Sequence, residues 1–508
     1  MKLPFLSTTL ALLVFLAPAM NLPAAMHEKK DPAPGTFTWE NAIIHIEVTS
    51  KLYNYVQPWQ RSERQIYKSG VVVDNHLIIT TAEGLADQTV IRLKKQGDGL
   101  YSLGRVAWID YQADVAALTT DDKDFWTGLV PAKLADPVPI SGEVRVMRWR
   151  DDSLENRQGE IERMAVDNSV LSFVSVPALK IDSNIQGAGY GEAVTAGDKL
   201  IGLASAQGGD ALTAIPTSFI APIIKAEQAG TYTGIGYFDF TWDPVENPLN
   251  LDYLKLSGPP RGVIIKETGL KPGVVSIVHP RDVLLQIDGF NIDTEGNYID
   301  PQYKKLCLEN LSSRAKWAGM SCKFKILRDG KEMDLVYQLP KAAYSDELVP
   351  SQSFDEAPEY AIVGGLVFTP LTESYLRSWG PAWRQTAPFR LSYFAQGKVT
   401  PERPQRVVLT QVLPAQANIG YENLRNLVVD EINGMKIKQI SDIPIALKSP
   451  IGGFDVFQFE GGESVRQVVL DAHDLDEINE QILAHYHNIP SDHVIHGNGT
   501  GADSTTPL

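Results

Sequence analysis

The chain has 508 residues, of which 62 are acidic and 46 are basic, so its formal net charge at pH 7 is −16. This acidic excess argues against a nucleic-acid partner, because binding a phosphate backbone requires a basic face. A hydrophobic content of 44% with nine tryptophans predicts a well-packed globular protein. The length predicts about three domains.

The first 25 residues predict a signal peptide, 1–25. Lys2 precedes an apolar core at 10–16, and small residues at 17–19 and 23–25 offer two alternative cleavage sites. The apolar core is too short to span a bilayer as a permanent anchor. We therefore expect an exported protein, periplasmic or secreted, with no membrane insertion.

Residues 38–228 predict a mainly β unit. Short runs rich in β-branched residues are separated by turn residues, at 42–48, 70–73, 77–80, 90–93, 144–148 and 170–176. Many short strands without intervening helices indicate a barrel or a sandwich. The spacing becomes helical at 215–227, where the unit ends.

A glycine-dense loop lies near the end of this unit, in the stretch KIDSNIQGAGYGEAVTAGDKLIGL at 180–203. Gly187, Gly189 and Gly191 alternate with Ala188 and Tyr190, and a short hydrophobic strand follows at 200–203. Glycines allow the backbone to turn sharply and to direct successive N–H groups at one point.

The next unit, 231–340, carries the loop TGIGYFDF (233–240), the hairpin RDVLLQIDGFNI (281–292) and a final hairpin with an Asp-Gly turn at 329–330. With these three elements the unit resembles a PDZ domain. The loop is similar to the carboxylate-binding loop of PDZ domains, which implies capture of a peptide C-terminus. The residues expected to bind the peptide are Gly236, Tyr237, Phe238, Asp239 and Phe240. The alternative is a PDZ fold kept for assembly, with its groove filled.

The chain has two cysteines, Cys307 and Cys322. In an exported protein they could form a disulfide that closes a loop of about 15 residues and stabilises the fold by about 3 kcal/mol. Two separately buried thiols are the equal alternative. No zinc site is expected, because no Cys-x-x-Cys or histidine pairing accompanies them.

A polar linker, 341–359, is expected to lead into a second, divergent PDZ-like unit, 360–493. YAIVGGLVFTPL (360–371) repeats the glycine loop and strand, and VVDEINGMKIKQISDI (428–443) repeats the hairpin. An insertion rich in aromatic residues and proline, 372–405, is expected to cover part of the groove. A strand and a helix close the unit at 468–492, and the tail 497–508 is expected to be disordered. His485 and His487 are two apart on that helix, so no metal site is expected.

Three segments carry a resemblance to a known family: HLIITTAEGLAD (76–87), YQADVAALTTDD (111–122) and the glycine loop. They resemble the HtrA/Deg serine proteases, and NYVQPWQRSERQIYKSGVVV (54–73) and QVLPAQANIGYENL (411–424) are similar to plant-type and related bacterial Deg proteases. The resemblance covers about residues 45–493. It implies a trypsin-like double β-barrel followed by two PDZ-like α+β domains, ATP-independent cleavage of unfolded proteins, trimers or multiples of them, and no cofactor.

The departure from that family lies at the catalytic triad. Glu83 stands where the family has its histidine, and Asp114 stands at the acidic position. With one residue missing before Gly187, Gly189 takes the serine position; without that gap, Tyr190 takes it. Gly187 and Gly191 remain as the glycines of the oxyanion loop. Each triad member works only with the others present, so no catalytic residue set is intact.

Two hypotheses of different classes follow. In the first, the protein is an inactive protease homologue that binds unfolded segments or protein C-termini as an adaptor, a holdase or an inactive subunit among active relatives. In the second, it is an active ATP-independent serine-type endopeptidase. The residues at positions 83 and 189 favour the first hypothesis.

Overall fold

A computed structural model of the chain describes residues 36–74, 76–95, 100–168, 171–269, 271, 273–461 and 467–494. The predicted signal peptide and the predicted disordered tail lie outside these residues. Among the described residues, no helix has the length and apolar composition needed to cross a bilayer.

The first sheet is a closed six-stranded antiparallel barrel. Its strands are β1 (Ile43–Tyr53), β2 (Arg61–Val73), β3 (Leu77–Thr80), β4 (Gln88–Lys94), β5 (Ser102–Asp110) and β6 (Val115–Thr119). The strand order is β1-β2-β3-β6-β5-β4, and pairing of β1 with β4 closes the barrel. Buried aliphatic side chains fill its interior, because β-branched residues alternate inward along each strand.

The second sheet has seven strands and ends in a helix. Its elements are β7 (Lys133–Leu134), β8 (Gly142–Arg150), β9 (Ser153–Asn168), β10 (Ser175–Ser183), β11 (Ala193–Ala196), β12 (Lys199–Gly208), β13 (Ala211–Pro216) and α1 (Thr217–Gln228). The order is β11-β8-β9-β10-β13-β12-β7, and an additional pairing of β11 with β12 bends the sheet back on itself. The glycine loop therefore connects β10 to β11.

The third sheet holds the predicted first PDZ-like unit. The elements of this unit are β14 (Phe240–Asp243), α2 (Leu249–Tyr253), β15 (Val263–Thr268), β16 (Val283–Ile287), β17 (Phe290–Asn291), β18 (Asn297–Asp300), β19 (Lys304–Cys307), α3 (Asn310–Ser313), β20 (Ser321–Arg328) and β21 (Lys331–Gln338). Strands β18 and β19 pair with each other in a separate two-stranded sheet. The main path is β14-β15-β16-β20-β21, so β14 and β21 are its edge strands. One hydrophobic core joins this sheet to the second barrel, with Phe324 and Leu311 in the same cluster as Ile161 and Leu179.

The fourth sheet has eight strands. Its elements are β22 (Tyr360–Val363), β23 (Leu366–Pro370), α4 (Glu373–Leu376), α5 (Trp383–Thr386), α6 (Phe389–Ser392), β24 (Val407–Val412), β25 (Leu427–Ile432), β26 (Met435–Lys436), α7 (Ile443–Ala446), β27 (Phe454–Phe459), β28 (Gln467–Asp471), α8 (Leu475–His485) and β29 (Asp492–His493). The order of seven strands is β28-β27-β25-β24-β23-β22-β29, and the eighth, β26, pairs with β25 beside this path. The predicted mainly β class, with trypsin-like barrels and a PDZ fold, is confirmed.

Two local findings bear on the sequence predictions. Cys307 and Cys322 are free thiols, the latter buried in the third sheet, so the disulfide left open by the sequence is not formed. The predicted linker is packed rather than extended through solvent, because the ring of Phe354 stacks on that of Tyr111 with centroids 4.1 Å apart. Asp355 also accepts a hydrogen bond from the Tyr111 hydroxyl at 2.6 Å.

Candidate functional site

The turn after β3 and the turn before β6 bring two of the predicted triad positions together. The backbone N–H of Glu83 donates to the Asp114 carboxylate at 3.0 Å. Asp114 adopts a left-handed backbone conformation, φ 52°, and its side chain is fully buried. Its second oxygen, Oδ2, has no hydrogen-bond partner among the described residues. No histidine ring of the described residues is bonded to this carboxylate.

A buried cation that sequence reasoning missed lies at the same place. Lys68 is on β2 with only 3% of its surface exposed. Its ammonium group donates to the Thr81 hydroxyl at 2.8 Å and to the Glu83 carbonyl oxygen at 2.5 Å. An isolated lysine just before the apolar run SGVVV was the available signal, because a charge at the start of a buried strand segment needs partners.

The charges of this cluster perturb each other in a low-dielectric environment. Burial raises the pKa of Asp114 to about 7, although the charge of Lys68 opposes the shift. Burial also lowers the pKa of Lys68 to about 8, against the raising effect of Asp114, Glu192 and Glu83. The pKa of Glu83 is raised by burial as well. Each group is pushed toward its neutral form, because removing a charge from water is costly.

The glycine loop meets this cluster through Tyr190 rather than through Gly189. Lys68 Nζ lies 5.6 Å from the centroid of the Tyr190 ring, and the Tyr190 carbonyl accepts the N–H of Ser69 at 3.0 Å. A Cβ atom on Gly189 would instead approach the backbone of Ala206, at 3.2 Å from its Cα. This geometry favours the ungapped alignment, in which Tyr190 stands at the serine position. It does not support the gapped alignment, which puts Gly189 at that position. Neither alignment supplies a serine.

The N–H groups of the glycine loop already have acceptors within the chain. The N–H groups of Gly189 and Tyr190 both donate to one carboxylate oxygen of Glu192, each at 2.8 Å. The N–H of Ala188 donates to the side-chain amide oxygen of Gln207 at 2.7 Å. Successive N–H groups of this kind form a concave anion-binding nest, and here the anion is Glu192 itself.

A buried arginine fixes the other side of the loop. Arg148, on β8, donates to the carbonyl oxygens of Gln186 at 2.6 Å and Gly187 at 2.8 Å. It also contacts the Glu192 carboxylate at 3.4 Å and forms an ion pair with Glu155 at 2.9 Å. Sequence reasoning missed Arg148 and Glu192; the signal for Glu192 was one acidic residue between Gly191 and a buried strand.

The side chains of this region line a cleft of about 1190 Å³ between the two barrels. Lys68, Tyr190, Glu192 and Arg148 form part of its wall. The cleft has neither a histidine bonded to the buried carboxylate nor a serine, cysteine or threonine at the Tyr190 position. Trypsin-like acyl transfer uses both groups together with free oxyanion donors.

The predicted peptide-binding loop of the third sheet is buried. This holds for all of its members: Gly236, Tyr237, Phe238, Asp239 and Phe240. The N–H of Tyr237 donates to the Pro340 carbonyl at 3.3 Å, and the N–H of Asp239 to the Tyr337 hydroxyl at 2.9 Å. A Cβ on Gly236 would lie 2.9 Å from Leu339 Cβ. This differs from the open carboxylate-binding loop expected from the sequence, because the N–H groups of Tyr237 and Asp239 have partners inside the chain.

The repeat of that loop in the fourth sheet is also closed by local contacts. Gly364 and Gly365 form the turn between β22 and β23, and the Asn418 side chain donates to the Gly364 carbonyl at 2.8 Å. A Cβ on Gly365 would meet the Leu413 carbonyl oxygen at 2.5 Å, so only glycine fits there. The outer edge of β22 pairs with β29, through Tyr360 with His493.

Comparisons with known proteins agree on the family. The family model described as "PDZ domain" matches residues 349–495. The putative mitochondrial protease Do-like 12 of Arabidopsis thaliana is 26% identical over 412 residues, covering 79% of this chain and 77% of that protein. The chloroplastic protease Do-like 2 of the same plant is 26% identical over 432 residues, covering 83% and 70%.

Among solved structures, the HtrA-type protease AlgW with a decapeptide has a TM-score of 0.45 and 17% identity, covering 60% of this chain and 96% of that one. The matched PDZ domain and the two protease relatives make this chain similar to trypsin-like proteases of the HtrA/Deg type with a PDZ domain.

Proposed function

We propose that this family member does not cleave proteins, and that it binds unfolded segments or C-termini of other proteins as an adaptor, a holdase or a regulatory subunit in protein quality control. The proposed parts of the chain are an exported leader, 1–25, a protease-like unit, 38–228, and two PDZ-like units, 231–340 and 360–493. We propose that the chains assemble into a homo-oligomer, a trimer or a multiple of one, or into mixed assemblies with active relatives. The curated relatives carry names of mitochondrial and chloroplastic proteases.

The observation that carries the proposal is the position of Glu192. With Tyr190 at the serine position, the oxyanion donors would be the N–H groups of Tyr190 and Ala188. The Glu192 carboxylate accepts the N–H of Tyr190, and the Gln207 side chain accepts that of Ala188. A substrate oxygen entering this loop would have to displace a buried carboxylate held by Arg148. In this proposal the catalytic base and the nucleophile are also missing, because Glu83 stands at the histidine position and Tyr190 at the serine position.

Peptide binding is proposed for the free edge of β14. This strand ends the path of the third sheet, and no described strand pairs with its outer side. Thr241 and Asp243 on β14 are exposed, whereas the preceding loop is closed. An unpaired edge can accept an extended segment by strand addition, so an internal stretch of an unfolded protein fits this site as well as a chain end.

Absence of cleavage is tested with the mature chain and casein, alongside a fluorophosphonate probe that labels activated serines. We expect no casein fragments and no labelling over the time in which an active family member digests the substrate completely. If cleavage or labelling coelutes with the protein through repeated purification, the endopeptidase alternative is established. The names of the relatives favour that alternative.

Binding is tested by photo-crosslinking. A benzoylphenylalanine placed at Thr241 on the β14 edge is compared with the same residue at Val336, which is 60% exposed on β21 at the other edge of the sheet. Reduced, carboxymethylated lactalbumin is the unfolded client. Crosslinks from position 241 in excess of those from position 336 are expected; equal yields would place client binding elsewhere.

A further inference from the structure

The aromatic insertion of the fourth sheet has a charge unlike that of the rest of the chain. The 28 residues 374–401 contain four basic residues, Arg377, Arg384, Arg390 and Lys398, and no acidic residue. With 62 acidic residues in 508, a stretch of this length would average between three and four. Residues 374–401, which form most of the insertion, are therefore a cationic segment on an acidic protein.

One side of the insertion anchors it to the fold. Tyr375, Leu376, Trp383 and Leu391 are each at most 2% exposed and pack with Val408 and Val428 of the sheet. The side chains of Tyr55 and Val56, from the loop between β1 and β2, contact the same cluster. The buried rings of Tyr375 and Trp383 thus account for only part of the aromatic content of the insertion.

The other side presents apolar rings to solvent. Phe389 is 78% exposed and Tyr393 is 61% exposed, and their ring centroids are 5.7 Å apart. Arg390 is exposed between them in sequence. We call this surface the aromatic–arginine patch: Phe389, Arg390 and Tyr393, with Arg384 and Arg377 on the adjoining helices.

The positive charge of the patch is only partly balanced. Arg377 and Arg384 approach the same carboxylate, that of Glu373, at 2.7 Å and 3.6 Å. Two guanidinium groups therefore share one negative charge. Among the described residues, Arg390 takes part in no ion pair.

We infer that the aromatic–arginine patch is a peripheral docking surface for an anionic lipid membrane. Exposed aromatic rings partition into the headgroup region of a bilayer, and flanking arginines bind anionic lipid headgroups. The patch consists of helical turns only, so it offers no strand edge to which an extended peptide could be added. The overall negative charge of the chain does not prevent docking, since salt screens it beyond about 8 Å at physiological ionic strength.

The test is co-sedimentation of the mature full-length chain with vesicles of phosphatidylcholine containing about one third phosphatidylglycerol, compared with phosphatidylcholine alone. We expect binding to the anionic vesicles only, weakened by added salt. Phe389→Ser with Tyr393→Ser should lower the partition coefficient by about tenfold or more, and Arg390→Gln by about fivefold.

The matched control is Tyr253→Ser. Tyr253 is 74% exposed on α2 and also has an arginine, Arg281, 5.5 Å from its ring, but it lies in the third sheet's unit. It should bind vesicles like the unaltered chain. Because all altered side chains are exposed, thermal unfolding should be unchanged in each variant.

Three results would overturn the inference. One is equal sedimentation with neutral and anionic vesicles, and another is an aromatic double variant that binds like the Tyr253→Ser control. The third is binding of polyglutamate at the patch without any vesicle binding, which would assign the surface to an acidic protein segment.

Discussion

A carboxylate oxygen of Glu192 lies 2.8 Å from the backbone nitrogen of Tyr190, two residues earlier in the chain. The same oxygen also accepts the N–H of Gly189. The Glu192 carboxylate therefore lies on the N–H of Tyr190, the residue at the serine position, whose N–H in a trypsin-like protease helps to hold the charge that develops during cleavage. Arg148, which contacts both the loop carbonyls and Glu192, keeps this arrangement in place.

Replacing Glu192 by alanine should destabilise the protein. The change leaves two backbone N–H groups without their acceptor inside the fold, at a cost of about 1–3 kcal/mol for each unsatisfied buried group. Urea unfolding measures the loss, with the exposed Glu160 on β9 as the matched substitution. Sulfate should then stabilise Glu192→Ala more than the unaltered chain, because the emptied nest can bind an anion; equal effects of sulfate would contradict the occupied-nest interpretation.

Restoring the triad residues alone should not restore reactivity. Glu83→His with Tyr190→Ser places an imidazole and a hydroxyl near Asp114, but Glu192 still occupies the N–H groups of the loop. Adding Glu192→Gly frees the N–H of residue 190, which is one of the two oxyanion donors, whereas the N–H of Ala188 keeps its acceptor on Gln207. Fluorophosphonate labelling should be faster in the triple variant than in the double variant, and a double variant that labels as fast as the triple would show that Glu192 does not block the site.

Two glycines of the loop should differ sharply in their tolerance of alanine. At Gly191, φ is 88° and a Cβ would lie 2.4 Å from both the Ser69 carbonyl oxygen and Thr80 Oγ1. Gly187 has φ 65° and no heavy atom within 4 Å of its Cβ position. Gly187→Ala should cost about 1 kcal/mol of folding free energy, and Gly191→Ala about 3 kcal/mol or more. Denaturant unfolding checks the ranking, and similar losses would contradict it.

The stability of the chain should fall as pH rises from about 4 to 7, partly because of Asp114. Burial raises the pKa of Asp114 from its ordinary value of 3.8 to about 7, so across this interval the folded protein retains a proton that the unfolded chain has released. Stability linked to this group is fully present below the unfolded pKa and is lost as pH passes the folded pKa. Asp87, with a pKa raised to about 6, and Glu309, raised to about 7, act in the same direction.

Asp114→Asn should flatten this dependence by up to about 1.4 kcal/mol per pH unit, the value for one proton. Urea unfolding at half-unit steps from pH 4 to 8 provides the measurement. Asp182→Asn, at an exposed position on β10, serves as the control and should follow the unaltered chain. A curve for Asp114→Asn parallel to both would show that Asp114 does not carry a raised pKa.

Local patterns were sufficient for several strands and for the resemblance to the family, although the run predicted at 170–176 overlaps only the start of β10 (Ser175–Ser183). Runs of β-branched residues at 42–48 and 77–80 predicted strands that the structure places in the first barrel, and the motifs around Glu83 and Asp114 identified the turns that hold them. These features depend on residues close in sequence, where side-chain alternation and turn chemistry decide the backbone. The absence of a triad serine and histidine is likewise a property of single positions.

The occupants of the site depend on contacts between distant segments. Lys68 reaches Glu83, Arg148 reaches Gly187, and Phe354 covers Tyr111, across separations that no local pattern reports. The alignment of the glycine loop was also ambiguous by one residue until the positions of Tyr190 and Gly189 relative to Lys68 and Ala206 resolved it.

The sequence by itself determined the residue types at the expected triad positions, Glu83 and either Gly189 or Tyr190, because the chemistry available at one position follows from its residue type. Only the tertiary structure decided which side chains occupy this region. Lys68 lies in the same buried cluster as Asp114, and the Glu192 carboxylate accepts the N–H groups of the glycine loop. The physical reason is that a buried charge is tolerated only with partners, and those partners come from strands that only the fold brings together.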